Sequence, residues 1–310
     1  MKVLLTGANG FIGSYLAAFL LKKGHSVVAT ARDFHPATRE WLAGAELMQL
    51  DVLDKADLDQ FQVSADVLIH TATANDIISK DTAKGIELSA VGTRNILDLA
   101  IRNKIPRCMV FSTLQVYGTE LMGTVDENTP ANVQNDYGLN HLFAEMYAEM
   151  YSRQGKLQCV SVRPSNVYGR IRTGSFNRWS LVPGCFCKEA LDSGTITIKS
   201  SGKQMRNFVN LENLSRAVDS ILQHFPGSYE CYNLASSRGY TMVEIAEKVK
   251  AVYEKIYPGK VELNITGTEP AMTNHFSINL AKLEKTGFTE DEHFTLESEI
   301  TELFNYLQTK

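Results

Sequence analysis

Tyr137 and His141 stand four residues apart in the stretch "NDYGLNHLFAE" (135–145). On a helix that spacing puts both on one face, so a phenol and an imidazole would look into the same space. Both groups exchange protons, the phenol near pH ~10 and the imidazole near ~6.5 when unperturbed. A second chemical feature lies at the N-terminus, where "TGANGFIG" (6–13) brings together Gly7, Gly10 and Gly13. Glycines at such positions permit a tight turn, close approach of backbone to a pyrophosphate, and tight helix–sheet packing. The loop works as a dinucleotide cradle only if a strand precedes it and a helix follows.

The flanking sequence meets that condition. "KVLLTG" (2–7) reads as a buried strand, and "FIGSYLAAFLLKKG" (11–24) has helical spacing with a terminal glycine. Further strands are expected at 25–31, 45–51, 66–73, 107–113 and 157–164, with helical patterns over 81–103 and 136–154. Strand–helix alternation of this kind predicts an α/β fold, a Rossmann-like doubly wound parallel sheet. The expected division is a dinucleotide-binding domain over 1–165 and a smaller, mainly substrate-binding region over 166–310. Within the latter, about 206–235 is expected to return to the Rossmann core. Ligands in such folds bind at the carboxyl ends of the strands, where the strand order reverses.

The end of the second strand shows how the adenosine ribose is read. An acid there favours NAD, whereas an arginine accommodates the extra phosphate of NADP. "VVATARDF" places Ala31 where the acid is expected, followed by Arg32. This favours NADP, with Asp33 keeping NAD open. Asp51, closing the third strand before Val52, is placed to meet the adenine ring.

Composition excludes several alternatives. Hydrophobic residues make up 44% and charged residues 21% of the 310, an ordinary globular balance. A net charge of −4 gives no reason to expect nucleic-acid or membrane-surface binding. No apolar run approaches the ~20 residues of a membrane span, and the first ten residues read as a strand and glycine loop rather than a leader. The five cysteines, at 108, 159, 185, 187 and 231, show no metal-ligand spacing and no disulfide framework. A cytoplasmic protein without a metal is expected.

The motifs together resemble an extended short-chain dehydrogenase/reductase of the NAD-dependent epimerase/dehydratase (nucleotide-sugar) family. The resemblance rests on "TGANGFIG" (6–13), "VLIHTAT" (67–73), "FSTLQVYG" (111–118), "YGLNH" (137–141), "RPSNVYGR" (163–170) and "QMRNFVNLENLSRAV" (204–218), in family order. It implies that Tyr137 exchanges a proton with a sugar oxygen while nicotinamide exchanges a hydride with the same carbon, and that Thr113 holds that oxygen. It also implies cofactor contacts at Gly7, Asn9, Gly10, Phe11, Ile12, Gly13, Thr71, Ala72 and Pro164, and contacts with a nucleotide-diphosphate sugar at Asn166, Asn177 and Arg206. An arginine and an amide suit a diphosphate, which accepts bidentate hydrogen bonds. Arg163 is expected to be structural, and 123–130 to form a loop over the site.

Two positions depart from the family pattern. His141 stands where the family has a lysine, whose charge makes the tyrosine more acidic and whose ammonium grips the nicotinamide ribose. Ser89 stands where the family usually has an asparagine near the cofactor. Histidine can still bond a ribose hydroxyl, but it supplies less positive potential unless a neighbour raises its pKa. No lysine lies between Tyr137 and Lys156 to replace it. A working enzyme with a shifted pH dependence, a site using His141 as a proton relay, and a ligand-binding protein that has lost its chemistry are all compatible with this sequence.

Family members that dehydrate hexoses carry Asp-Glu after the threonine, because elimination needs a further acid and base. Here the pair is Leu114-Gln115, which argues against 4,6-dehydration. Epimerisation through a transient ketone and net reduction of a keto sugar both stay open. So do reduction of a non-nucleotide carbonyl compound with NADPH, and a catalytically impaired dinucleotide-binding protein. The family resemblance further implies a homodimer through the helices at 81–103 and 135–155.

Overall fold

A computed structural model describes residues 1–169, 181–268 and 275–308. Its centre is a seven-stranded sheet: β1 (Lys2–Thr6), β2 (Ser26–Ala31), β3 (Glu46–Gln49), β4 (Val67–His70), β5 (Arg107–Phe111), β6 (Gln158–Pro164) and β7 (Glu230–Leu234). The spatial order is β7-β6-β5-β4-β1-β2-β3, and every neighbouring pair is parallel. The order reverses between β1 and β4, which opens a crevice at their carboxyl ends.

The strands are short apolar runs because both faces are covered. Along β1 the side chains alternate: Val3 and Leu5 enter one core, with α1 (Phe11–Lys22), and Leu4 enters the other. The same alternation in β5 sends Met109 and Phe111 one way and Cys108 and Val110 the other. The second face is covered by α2 (Gly92–Arg102) and α3 (Asp136–Arg153). Truncating a fully buried leucine such as Leu4 or Leu5 to alanine would cost about 2–5 kcal/mol.

The helical pattern over 81–103 is not one regular helix. A short α-turn at Thr82–Ile86 passes through a π-helical turn, Glu87–Val91, before α2 begins. Gly92 closes this bulge against β3's following turn: a Cβ there would meet Val52 Cγ2 at 3.1 Å. Ser89 sits within the π turn, fully buried.

Beyond β6 the chain makes a smaller lobe. It holds the short strand Asn166–Tyr168, α4 (Gly184–Ser193) and the strand Thr195–Ile198. The strand Met205–Asn210 then pairs parallel with Asn166–Tyr168. The chain next returns to the central layer: α5 (Leu211–Gln223) packs in the same core as α1, and β7 completes the sheet. α6 (Met242–Ile256) and α7 (Leu296–Gln308) close a separate apolar cluster over α4.

The segment at 123–130 is held away from the crevice. Gly123–Val125 pairs parallel with Phe276–Ile278, Asp126 forms a side-chain turn onto Asn128 and Thr129, and Glu127 accepts the N–H of Asn233 at 2.8 Å. The rim over the site is made by 118–121 and Phe276 instead.

Candidate active site

A cleft of about 730 Å³ runs along the carboxyl ends of the sheet strands, within the usual range for ligand sites. It gathers Gly7, Asn9, Gly10, Phe11, Ile12, Gly13 and Thr71 at one end and Thr113, Tyr137, His141, Pro164, Asn166 and Arg206 at the other. Arg32, Asp51, Val52, Ala72 and Ser89 do not line it. Asn177 lies outside the described residues.

The glycine loop is tightly packed behind. Gly7 has φ +78, and a Cβ there would fall 2.6 Å from Thr71 Oγ1. A Cβ at Gly13 would fall 2.3 Å from the Gly7 carbonyl oxygen. Thr71 is fixed in turn, its hydroxyl donating to the Thr6 carbonyl at 2.7 Å. The loop delivers the chain into α1 at Gly10, which provides no side-chain cap, and the first turn holds no acidic residue. Gly10, Phe11, Ile12 and Gly13 of this helix start line the cleft, an arrangement suited to a pyrophosphate. Asn9 stiffens the loop from the side: its Oδ1 accepts from Thr38 Oγ1 at 2.7 Å and from the His35 N–H at 3.4 Å.

Residues expected to meet the adenosine take quieter positions. Asp51 Oδ1 accepts the N–H of Leu53 at 2.9 Å, shaping the turn after β3, and the buried Val52 accepts Asn95 Nδ2 at 2.9 Å through its carbonyl. Arg32 is exposed just beyond β2. The Ser89 hydroxyl accepts the N–H of Ala74 at 3.0 Å. Ser89 thus positions the 71–76 segment, which lines the cleft, from behind.

At the other end, Thr113 starts a 3₁₀ turn and Tyr137 lies in the first turn of α3. Both side chains line the cleft, with the Thr113 hydroxyl near enough to bear on the Tyr137 phenol. Burial pushes the Tyr137 phenol above its ordinary pKa, and Thr113 pulls it back only in part. His141 crosses Tyr137 edge-on, with ring centroids 4.6 Å apart. Its Nδ1–H donates to the Phe111 carbonyl at 3.2 Å, and it also meets the Ala74 backbone. Burial nevertheless pushes the imidazole down to about 4, so at neutral pH His141 carries no charge. The backbone groups of Phe111 and Ala74 raise it only in part, and the added charge that a lysine would bring is missing.

Asn166 and Arg206 come together because their short strands pair, Phe208 lying opposite Asn166. Arg206 is exposed at the cleft, while Asn166 donates through Nδ2 to the Asn207 carbonyl at 2.8 Å. Arg163 is buried and grips both carboxylate oxygens of Glu145, at 2.8 and 2.6 Å, and the Tyr117 hydroxyl at 2.7 Å. It braces β6 against α3.

Residues 3–235 match the model of the NAD dependent epimerase/dehydratase family. The chain belongs to that family of enzymes. Its relatives are distant. The low-salt glycan biosynthesis protein Agl12 of Haloferax volcanii is 24% identical, covering 95% of both chains. The dTDP-4-dehydro-6-deoxy-D-allose reductase of Streptomyces bikiniensis is 26% identical over 84% of this chain and 83% of its own. The UDP-glucuronic acid 4-epimerase of Bacillus cereus, solved with NAD, superposes with a TM-score of 0.84 at 22% identity, covering 100% of this chain and 97% of that one. At that identity the superposition shows a shared fold.

Within this family framework the structure adds groups that sequence patterns pass over. Ser112 and Ser165 line the cleft with buried hydroxyls that have no protein partner, and Gln115 lines it beside Thr113. His70, fully buried, receives or donates one hydrogen bond at Thr6 Oγ1, 2.7 Å away, while its Nε2 has none. Each reads in sequence as an ordinary strand-end residue. Among the described residues no cluster could hold a metal ion, and no helix is long and apolar enough to cross a membrane.

Proposed function

We propose that the chain performs nicotinamide-dependent redox chemistry on a nucleotide-diphosphate sugar, with Tyr137 as acid/base and Thr113 holding the reacting oxygen. The observation that carries this is one cleft lined by a glycine-loop helix start without a side-chain cap, by Thr113 together with Tyr137, and by Arg206 with Asn166. Arg206 and Asn166 support a diphosphate and argue against a small carbonyl substrate.

Net reduction of a keto sugar is the reaction this site supports best. A reduced nicotinamide held at the Gly7, Gly10 and Gly13 loop would supply the hydride for the carbonyl carbon. Tyr137 delivers its proton to the carbonyl oxygen, and Thr113 orients that oxygen. A phenol held above its ordinary pKa keeps its proton until an alkoxide develops, which suits the donor role. The reverse direction asks Tyr137 to become a phenolate beside a neutral imidazole. Exposed Arg32 beyond β2 favours NADP(H) over NAD.

The same reading includes a homodimer. Ile86, Val91, Met146 and Met150 are exposed on the 82–102 and 136–153 segments, by 39%, 47%, 57% and 39%, and together supply an apolar surface for a helical interface. The free cysteines suit a reducing, cytoplasmic setting.

The test is to identify the nicotinamide cofactor that purified protein carries and to measure melting shifts with UDP-, dTDP-, GDP- and CDP-sugars. At 100-fold over Kd, binding stabilises by about 2.7 kcal/mol. No shift with any of them defeats the reading. An inverted sugar centre without net cofactor oxidation assigns epimerisation instead.

A further inference from the structure

Gln115 joins the two halves of the reacting site through three different groups. Its N–H donates to Thr113 Oγ1 at 3.3 Å. Its carbonyl oxygen lies against Gly138, where a Cβ would come within 2.9 Å. Its side-chain Oε1 accepts from Asn135 Nδ2 at 3.0 Å. Asn135 in turn accepts the Gly138 N–H at 2.8 Å through Oδ1, capping α3 immediately before Tyr137.

This chain of bonds also fixes which way the Gln115 amide faces. A backbone N–H can only donate, so Asn135 must present Oδ1 to Gly138 and Nδ2 to Gln115. An Nδ2 donor requires an acceptor, so Gln115 must turn Oε1 toward Asn135. Its Nε2, with two N–H donors, is then directed elsewhere and has no protein partner among the described residues. The residue lines the cleft together with Thr113 and Tyr137.

We infer that Gln115 is a specificity-determining residue whose Nε2 donates to a hydroxyl or carbonyl oxygen of the sugar next to the reacting carbon. The inference rests on the nucleotide-sugar reading and deepens it. An amide donor rewards an oxygen acceptor at that place and cannot exchange a proton, so it orients the sugar without taking part in elimination. The position thereby selects substrates that keep an oxygen there and disfavours deoxy sugars.

Two variants separate the sugar contact from the tie between Thr113 and α3. Gln115→Glu keeps an acceptor for Asn135 but removes the N–H donors, whereas Gln115→Met removes both. Titration calorimetry on the holoenzyme compares UDP with UDP-glucose and dTDP with dTDP-glucose. Wild type should bind the sugar nucleotide more tightly than the bare diphosphate. In both variants that advantage should shrink by roughly three- to tenfold, the usual worth of a hydrogen bond, while affinity for the bare diphosphate stays unchanged. Gln115→Glu should melt like wild type and Gln115→Met lower. An undiminished sugar advantage in Gln115→Met overturns the inference alone, as does equal binding of both ligands by wild type. Binding of neither ligand by wild type overturns the nucleotide-sugar reading with it.

Discussion

Replacing His141 with lysine restores a cation beside Tyr137 and isolates the effect of that charge. The two rings are 4.6 Å apart. A unit charge at about that distance, at an effective dielectric of ~20, interacts with a phenolate by roughly 3–4 kcal/mol. That corresponds to a pKa lowered by about 2–3 units. In wild type, burial holds Tyr137 above its ordinary pKa, so oxidation of a sugar alcohol, which needs the phenolate, rises only toward alkaline pH. In His141→Lys the rise should begin about 2–3 pH units lower. The assay is the pH dependence of alcohol oxidation, paired with an ultraviolet difference titration of the phenol against Tyr137→Phe. Identical profiles in wild type and His141→Lys, with both folded and binding nicotinamide, would refute the electrostatic account. Unchanged rates in Tyr137→Phe as well would remove this helix from catalysis.

Three further outcomes follow from the packing. Gly13→Ala places a methyl 2.3 Å from the Gly7 carbonyl oxygen; overpacking of this kind costs about 1–3 kcal/mol, and cofactor affinity by fluorescence titration should drop sharply. Glu145→Ala leaves the buried Arg163 guanidinium without its carboxylate, so urea unfolding should show a loss of about 3–5 kcal/mol. His141 and His70 are held neutral by burial, pushed to about 4 and about 3. The unfolded chain takes up protons below ~6.5 while the folded one does not, so stability is flat above that pH and falls as pH drops from ~6.5 toward 4. His141 alone contributes about 3 kcal/mol to that loss, and melting curves of His141→Gln should show a correspondingly shallower acid slope.

Six of the seven strands were legible as short apolar runs, and the glycine loop because its geometry is local; β7, Glu230–Leu234, carries a mixed run and was foreseen only within the return of about 206–235 to the core. The break in the 81–103 helix was not, since the π turn depends on Gly92 meeting Val52, a residue from another strand end. The 123–130 stretch reads as a loop over the site, whereas its residues pair with Phe276–Ile278 and do not themselves line the cleft. The state of His141 was equally hidden. Whether an imidazole is charged depends on what surrounds it, and its surroundings come from Phe111 at the end of β5 and Ala74 in the loop after β4. Gln115 was visible in sequence only as the absence of an acid; its bonds to Thr113 and Asn135 exist only once the turn meets α3.

His141 and the Leu114-Gln115 pair act on the same quantity. Histidine for lysine removes a charge beside Tyr137, and Leu114-Gln115 removes two proton carriers beside Thr113. What remains in contact with Thr113 is one phenol that holds its proton firmly. Elimination of water needs a base at one carbon and an acid at the leaving oxygen, two tasks a single proton carrier cannot perform together. Hydride delivery to a ketone needs one proton at one oxygen. On the proposed reading, the same substitutions that look like losses when compared with a dehydratase suit reduction, with Gln115 able to orient the sugar because it has no proton to move.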